Sequence, residues 1–164
     1  MFDLRTWLPW LLCLTAWLTC GCKRDDAAKR CAQDRATIQA LMAEDQRVSG
    51  MSHAADKLAL DGRPLEAAER IEKGAQPAMR RVVNDAKRFA PQSKWGADRK
   101  DDLVPLVQQR QELLTSYAAA LRAENLQRVL AQMEKQRDLE RRAMQVKRSV
   151  ATAPDPVSDA CRRP

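Results

Sequence analysis

The sequence predicts an all-α protein, and three observations carry that prediction. After residue 21 the chain is rich in Ala, Leu, Gln, Glu, Lys and Arg, which favour helices, and poor in β-branched residues. Apolar residues recur every three or four positions, which is the helical period. Only 5 of 164 residues are glycine, too few for the many tight turns of a β-sandwich. We predict an elongated antiparallel helical bundle of three long helices, or of four if the last helix breaks near Asn125.

The first two predicted helices are separated by a clear turn signal. The first runs from about residue 25 to residue 60, and Gly62 and Pro64 then mark the turn. The second continues to Phe89, with Pro77 inside it. Because proline lacks a backbone N–H, we expect a kink or short break at that point. The apolar stripe of the first helix comprises Cys31, Ile38, Leu41, Met42, Val48, Ala55 and Ala59.

The third predicted helix contains a conflict between two apolar seams. It starts near Asp98 to Asp102 and continues to about residue 150. Asp102 is a candidate N-cap, because it would place Pro105 in the first turn. The seam that ends at Leu121 and the seam that begins at Leu126 face different directions around the helix axis. A break near Asn125 would let both seams face one core. The absence of Gly and Pro in this region favours a continuous helix, so three helices are the preferred prediction.

The first 21 residues form a distinct segment with the features of an export signal. Its apolar run, from Trp7 to Thr19, is shorter than the roughly 20 residues that span a bilayer as a helix. That length is typical of the apolar region of a signal peptide. The run ends in Leu18-Thr19-Cys20-Gly21-Cys22, which resembles the lipobox of bacterial lipoprotein signal peptides.

The lipobox resemblance implies cleavage before an acylated cysteine. Gly21 favours Cys22 as that residue, and Cys20 is the alternative. The resemblance further implies that diacylglycerol on Cys22 holds the mature chain at an envelope membrane, outside the cytoplasm. In enteric lipoproteins an Asp after the cysteine signals retention in the inner membrane, and here Lys23 follows, so the outer membrane is implied. We divide the chain into a signal peptide (1–21), an acylated cysteine with a short tether (22–24), a helical bundle (25–150) and a Pro-rich tail (151–164).

The cysteine count predicts one disulfide in the mature chain. Cleavage before Cys22 removes Cys13 and Cys20, and the lipid uses the Cys22 sulfur, so Cys31 and Cys161 remain. In an oxidising compartment such a pair is expected to form a bridge. The alternative is that Cys31 packs as a small apolar residue while Cys161 stays a thiol in the tail.

The bridge and a continuous third helix exclude each other. An unbroken helix over this segment would be about 72 Å long, with its end far from Cys31. The remaining tail could cover only about 35 Å of the way back. A disulfide between Cys31 and Cys161 therefore requires a break, and a continuous helix requires two thiols.

The net charge of +7 suggests an anionic partner. The export signal and the lack of aromatic residues among the basic ones argue against nucleic acid, which leaves anionic lipid or wall polymers. The candidate basic residues are Arg80, Arg81, Lys87, Arg88, Arg141, Arg142, Lys147 and Arg148.

The function predicted from these features is binding or structural support, with no catalysis. His53 is the only histidine and falls on the polar side of its helix, and we expect neither a metal site nor a cofactor. The predicted partner is another envelope protein, held at an apolar strip of Leu126, Leu130 and Leu139. The alternative function is an envelope carrier or chaperone that binds a small molecule or a client protein in a helical groove.

Overall fold

The computed structural model describes the backbone of residues 8–152 and 161, and the side chains of residues 26–152 and 161. Every regular element among these residues is helical, so the all-α prediction is confirmed. A π-helical turn, Ile71–Ala75, joins the second and third α-helices. The α-helices are α1 (Leu8–Leu60), α2 (Pro64–Arg70), α3 (Gln76–Arg88), α4 (Lys94–Arg122) and α5 (Leu126–Ala151).

The irregularity expected at Pro77 is the π-helical turn that precedes it. The backbone N–H of Gln76 donates to the carbonyl of Ile71, five residues back, where an α-helix would use the residue four back. Pro77 follows directly and has no N–H to donate. The widened π-helical turn therefore lets the helix continue through Pro77, which cannot donate an α-helical hydrogen bond.

The start of α4 differs from the sequence prediction. The helix begins at Lys94, and the hydroxyl of the N-cap residue Ser93 accepts from the N–H of Gly96 at 3.0 Å. The predicted cap at Asp102 is wrong, because that residue lies inside α4 and Pro105 is also internal. The capping preference of Asp102 does not decide where α4 begins. A contact from α1 does, and the α1 residue that makes it is distant from α4 in the sequence.

That contact is made by the buried carboxylate of Asp34. It accepts hydrogen bonds from the backbone N–H of Gln92 at 3.0 Å, from the N–H of Ser93 at 2.8 Å and from the Ser93 hydroxyl at 2.6 Å. These donors compensate for removing the carboxylate from water. Residue 34 thereby fixes where a helix nearly sixty residues later begins.

The last predicted helix is broken, so the preferred three-helix prediction is wrong and the alternative break near Asn125 is confirmed. Glu124 has a φ of 49°, in the left-handed region that ends a right-handed helix. The Asn125 side chain then caps α5 by accepting from the N–H of Arg128 at 3.0 Å. With the break, each of the two apolar seams lies on its own helix.

The chain reversal lets α5 pack on α4 and α1, while α3 packs on the same two helices elsewhere. Within the described residues, α3 and α5 make no contact. The predicted stripe of α1 is largely confirmed, with Ile38, Val48 and Ala55 fully buried. The chain beyond α5 returns to α1 through a disulfide between Cys161 and Cys31, whose Cα atoms lie 5.4 Å apart. Most of the predicted tail, residues 153–160 and 162–164, lies outside the described residues.

Replacing Gly96 should test the α1–α4 contact directly. A Cβ at this position would lie 2.2 Å from Oδ2 of Asp34. We expect Gly96→Ala to lower the free energy of unfolding by about 2 kcal/mol, because the backbone must shift away from the carboxylate. Urea denaturation followed by circular dichroism measures the change.

The matched control is Gly50→Ala in α1, where a Cβ would meet nothing within 4 Å. This variant should raise the free energy of unfolding by up to about 1 kcal/mol through helix propensity alone. Equal effects of the two substitutions would contradict the close approach at Gly96.

Candidate functional site

The seam between α1 and α5 is polar, in contrast to the apolar face that α1 turns toward the rest of the core. The Ser49 hydroxyl donates to Oε1 of Glu140 at 2.8 Å. The buried Ser52 hydroxyl donates to Oε1 of Gln136 at 2.9 Å. Hydrogen bonds are directional, so these contacts fix the register of α5 on α1 more narrowly than apolar packing would.

A cavity of about 340 Å³, here called the α1–α5 cavity, opens beside this seam. Its walls come from three helices. The α1 residues are Met42, Asp45, Gln46, Ser49, Gly50 and His53. The others are Arg110 of α4 and Glu140, Ala143, Met144 and Lys147 of α5. Its volume lies within the range of small-molecule sites, which commonly form between the helices of a bundle.

The inner wall of the cavity holds a buried ion pair. Nε of Arg110 lies 2.7 Å from Oδ1 of Asp45, and the two side chains are 3% and 6% exposed. The angle of this short contact is not that of a hydrogen bond, and the hydrogen bond runs from Nη2 to Oδ2 at 3.3 Å. Burial raises the pKa of the Asp45 carboxyl, although the Arg110 guanidinium opposes that rise. The pair is therefore held against a substantial desolvation cost.

A chain of hydrogen-bonding groups connects the cavity to the core. Nε2 of His53 lies 2.7 Å from Oε1 of Glu140, and Nδ1 lies 3.3 Å from Oδ2 of Asp56. The Tyr117 hydroxyl donates to the other Asp56 oxygen at 2.8 Å. Burial raises the pKa of Asp56, and burial together with the Asp56 contact raises the pKa of Tyr117. His53, predicted to lie on the polar side of its helix, is 54% exposed and bridges α1 to α5.

The structure divides the predicted basic residues between two sides of the molecule. Arg80, Arg81, Lys87 and Arg88 are exposed on α3, and the other four are exposed on α5, which does not contact α3 in the described part of the chain. On α5, Arg142 donates to Gln109 at 2.6 Å and Lys147 donates to Gln46 at 3.3 Å. Arg141 forms an ion pair with Asp138. The eight residues therefore do not form one continuous surface.

The predicted apolar strip on α5 is only partly exposed. Leu126 and Leu130 are 66% and 46% exposed, as a partner surface requires. Leu139 is 7% exposed, so its assignment to the strip is wrong. It packs with Leu106 and Leu113 of α4, because α5 turns that side toward α4 after the break.

The two candidate lipidation residues, Cys20 and Cys22, lie in the first part of α1, whose side chains are outside the described residues. The helix is continuous through positions 22–24, which the sequence predicted to be a tether. Among the described residues, no helix has the length and apolar content to cross a membrane. Within the same residues, no group of three or more His, Cys, Asp or Glu side chains is arranged to hold a metal ion.

Sequence reasoning missed Asp45, Arg110 and Gln136, yet a signal for two of them was present. Asp45 lies between Leu41 and Val48 on the buried stripe of α1, and Arg110 lies between Leu106 and Leu113 on α4. A charged residue in an apolar stripe indicates a buried partner of opposite charge. The sequence could not identify which two residues pair.

In comparisons with known proteins, no protein-family model, curated protein or solved structure matches this chain.

Replacing Arg110 should reveal how much free energy is needed to bury the Asp45 carboxylate. In Arg110→Met we expect the free energy of unfolding to fall by about 3 kcal/mol near neutral pH, because a buried carboxylate loses its counter-ion. The folded state already holds the Asp45 carboxyl at a raised pKa, and losing Arg110 raises it further. Folding then favours proton uptake, so the deficit should shrink as the pH falls. Urea denaturation between about pH 5 and pH 8 measures both effects.

The matched control removes both charges. Asp45→Leu combined with Arg110→Met should be within about 1 kcal/mol of the unsubstituted protein, or more stable, without the added pH dependence. A double variant as unstable as the single one would show that the ion pair itself is a main source of stability.

Proposed function

We propose that this chain is a lipid-anchored protein of the bacterial cell envelope, with an antiparallel helical bundle that binds another envelope protein. The observation that carries the proposal is the disulfide between Cys31 and Cys161, two of the five cysteines. Disulfides persist in oxidising compartments outside the cytoplasm. A bridge that closes a loop of 130 residues is worth about 4–5 kcal/mol in the chain-entropy model.

The anchor in this proposal is diacylglycerol on Cys22, with Cys20 as the alternative. Each buried methylene of an acyl chain contributes about 0.8 kcal/mol, so two or three chains hold a protein stably. Cys22 and Cys31 belong to one continuous helix, α1, and are about 14 Å apart along its axis. The anchor would therefore hold the bundle through a helix, without a flexible linker. By the lipobox resemblance, Lys23 favours the outer membrane.

The antiparallel arrangement is supported by the order of hydrogen-bonded pairs between α1 and α5. Arg35 donates to the carbonyl of Ala151, and Ser49 donates to Glu140, so later residues of α1 meet earlier residues of α5. The exposed Leu126 and Leu130 then lie near the end of the bundle where α1 terminates. Along α1, that end is about 57 Å from Cys22. We propose this leucine-bearing end as the partner surface.

The second candidate function is an envelope carrier of a small molecule, which the α1–α5 cavity favours. The Ser49 hydroxyl and the His53 imidazole both contact Oε1 of Glu140, so they do not form a nucleophile–base pair. A serine nucleophile needs its hydroxyl hydrogen-bonded to the general base, and here the two groups share an acceptor.

Substitution of the proposed acylation site tests the anchor. Cys22→Ala should release the protein from membranes or leave it unprocessed, because no sulfur remains at position 22 to carry diacylglycerol. Cell fractionation with intact mass analysis measures both outcomes. Cys20→Ala is the control and should leave localisation and mass loss unchanged. A Cys22→Ala protein that remains membrane-bound and normally trimmed would assign the anchor to Cys20 or to an uncleaved segment.

Site-specific crosslinking tests the partner surface. A photoreactive residue at position 126 or 130 should capture the same envelope protein in intact cells, whereas one at exposed Asn84 of α3 should not. A second substitution, Leu126→Glu, should weaken capture from position 130, because a charge disrupts an apolar contact. Mass spectrometry identifies the captured protein. Equal capture from positions 84 and 130 would contradict a specific surface at this end.

A further inference from the structure

Gly50 lies inside the 53-residue helix α1, ten residues before its end, and no close contact requires a glycine there. Glycine inside a helix costs about 1 kcal/mol relative to alanine. At Gly96 the close approach of Asp34 explains that cost, but a Cβ at Gly50 would meet nothing within 4 Å. Gly50 lines the α1–α5 cavity, and a Cβ at this position would enter open space.

The Asp45–Arg110 pair is a second feature that is expected to add little to the stability of the fold. A buried ion pair usually contributes no more to stability than apolar residues of similar volume, because both charges lose their hydration. Here the pair lies in the wall of a cavity instead of in closely packed core. A helix-weakening glycine and a desolvated ion pair therefore line the same cavity.

One part of the cavity wall is apolar and deformable. Met42, Ala143 and Met144 line it, and Met144 is 50% exposed at the opening. Methionine side chains are flexible and polarisable, so they adapt to an apolar ligand of variable shape. Such a wall suits an alkyl chain.

Cationic side chains outnumber anionic ones around the opening, where the carboxylate of Glu140 also lies. The carboxylate of Asp45 is paired with Arg110, and that of Glu140 contacts His53 and Ser49. Among residues 26–152, the ammonium of Lys147 donates a hydrogen bond only to the neutral side chain of Gln46, at 3.3 Å. A shallow groove continues from the cavity across Glu140 and Met144, and it is lined by further cations, Arg137, Arg141 and Arg148. Within the described residues, neither Arg137 nor Arg148 forms an ion pair.

We propose that the α1–α5 cavity binds a single-chain amphiphile with an anionic head group. The alkyl chain lies between Met42 and Met144, and the carboxylate or phosphate head lies at Lys147. This assignment deepens the carrier function proposed above by naming its ligand class. It does not require the lipid anchor, because every residue involved belongs to α1 beyond position 41, α4 or α5.

The test titrates the full chain with dodecanoate and with dodecyl phosphate, each below its micelle-forming concentration. If the protein is membrane-bound, it is studied in nanodiscs of phosphatidylcholine, and otherwise in buffer. Methyl signals of Met42 and Met144 should shift with either ligand, whereas Met79, fully buried on α3, should not. Dodecyltrimethylammonium, with the same chain and a cationic head, should shift none of these signals. Inorganic phosphate alone should also leave them unchanged.

Two variants test whether the amphiphile binds in the α1–α5 cavity. Gly50→Leu should raise the free energy of unfolding and weaken binding by about tenfold, equivalent to about 1.4 kcal/mol, because its side chain occupies the opening. Lys147→Gln should weaken binding by about tenfold and reduce its salt dependence, because the head group loses its cation. Ala36→Leu is the matched control, an exposed site on α1 about 21 Å from Gly50, and should leave binding unchanged.

Each contrary outcome overturns the proposal. Equal binding of the cationic amphiphile would show that the charge of the head group does not determine binding. Equal shifts with inorganic phosphate would show that the alkyl chain of the ligand does not contribute. Unchanged binding by Gly50→Leu, confirmed to be folded, would place the ligand elsewhere. Failure of these tests leaves the partner surface at Leu126 and the anchor at Cys22 unaffected, since those have their own experiments.

Discussion

The reversal of the chain at residues 123–125 determines the rest of the architecture. Glu124, with its left-handed backbone, ends α4, and Asn125 caps the start of α5. Without that turn the last helix would extend away from the bundle, and Cys161 could not approach Cys31. With it, α5 packs on α1 and α4, and the disulfide fastens the chain beyond α5 to α1. The α1–α5 cavity exists only because this reversal brings the two helices together.

The helix that the reversal adds is held by both apolar and polar contacts. It contributes Val129 and Val150 to the core that it shares with α1, α3 and α4. It also meets α1 through polar contacts of Ser49, Ser52 and His53. Apolar packing supplies most of the stability of a bundle but tolerates small changes of register. Directional polar contacts cost desolvation and define one register. The polar contacts therefore fix the position of α5 on α1 beside the α1–α5 cavity.

Sequence reasoning succeeded where structure depends on neighbouring residues and failed where it depends on distant ones. The buried stripe of α1, the turn around Gly62 and the irregularity before Pro77 were predictable because helical periodicity and proline chemistry act within a few residues. The cap at Asp102 was wrong because Asp34 organises the start of α4 from another helix. Asp45 and Arg110 each interrupt an apolar stripe of the sequence, which indicates that both are buried. The sequence does not indicate that they pair with each other, because they lie 65 residues apart.

The sequence by itself determined the all-α class, the apolar faces of the helices and the short list of cysteines that could pair. These properties follow from residue propensity, helical period and composition. The tertiary structure alone decided that the last segment folds back as α5, that Leu139 is buried while Leu126 stays exposed, and that a cavity opens beside the α1–α5 contact. The physical reason is that these features depend on which helix faces which. That choice is made by the summed packing of residues far apart in the chain, and no local pattern encodes it.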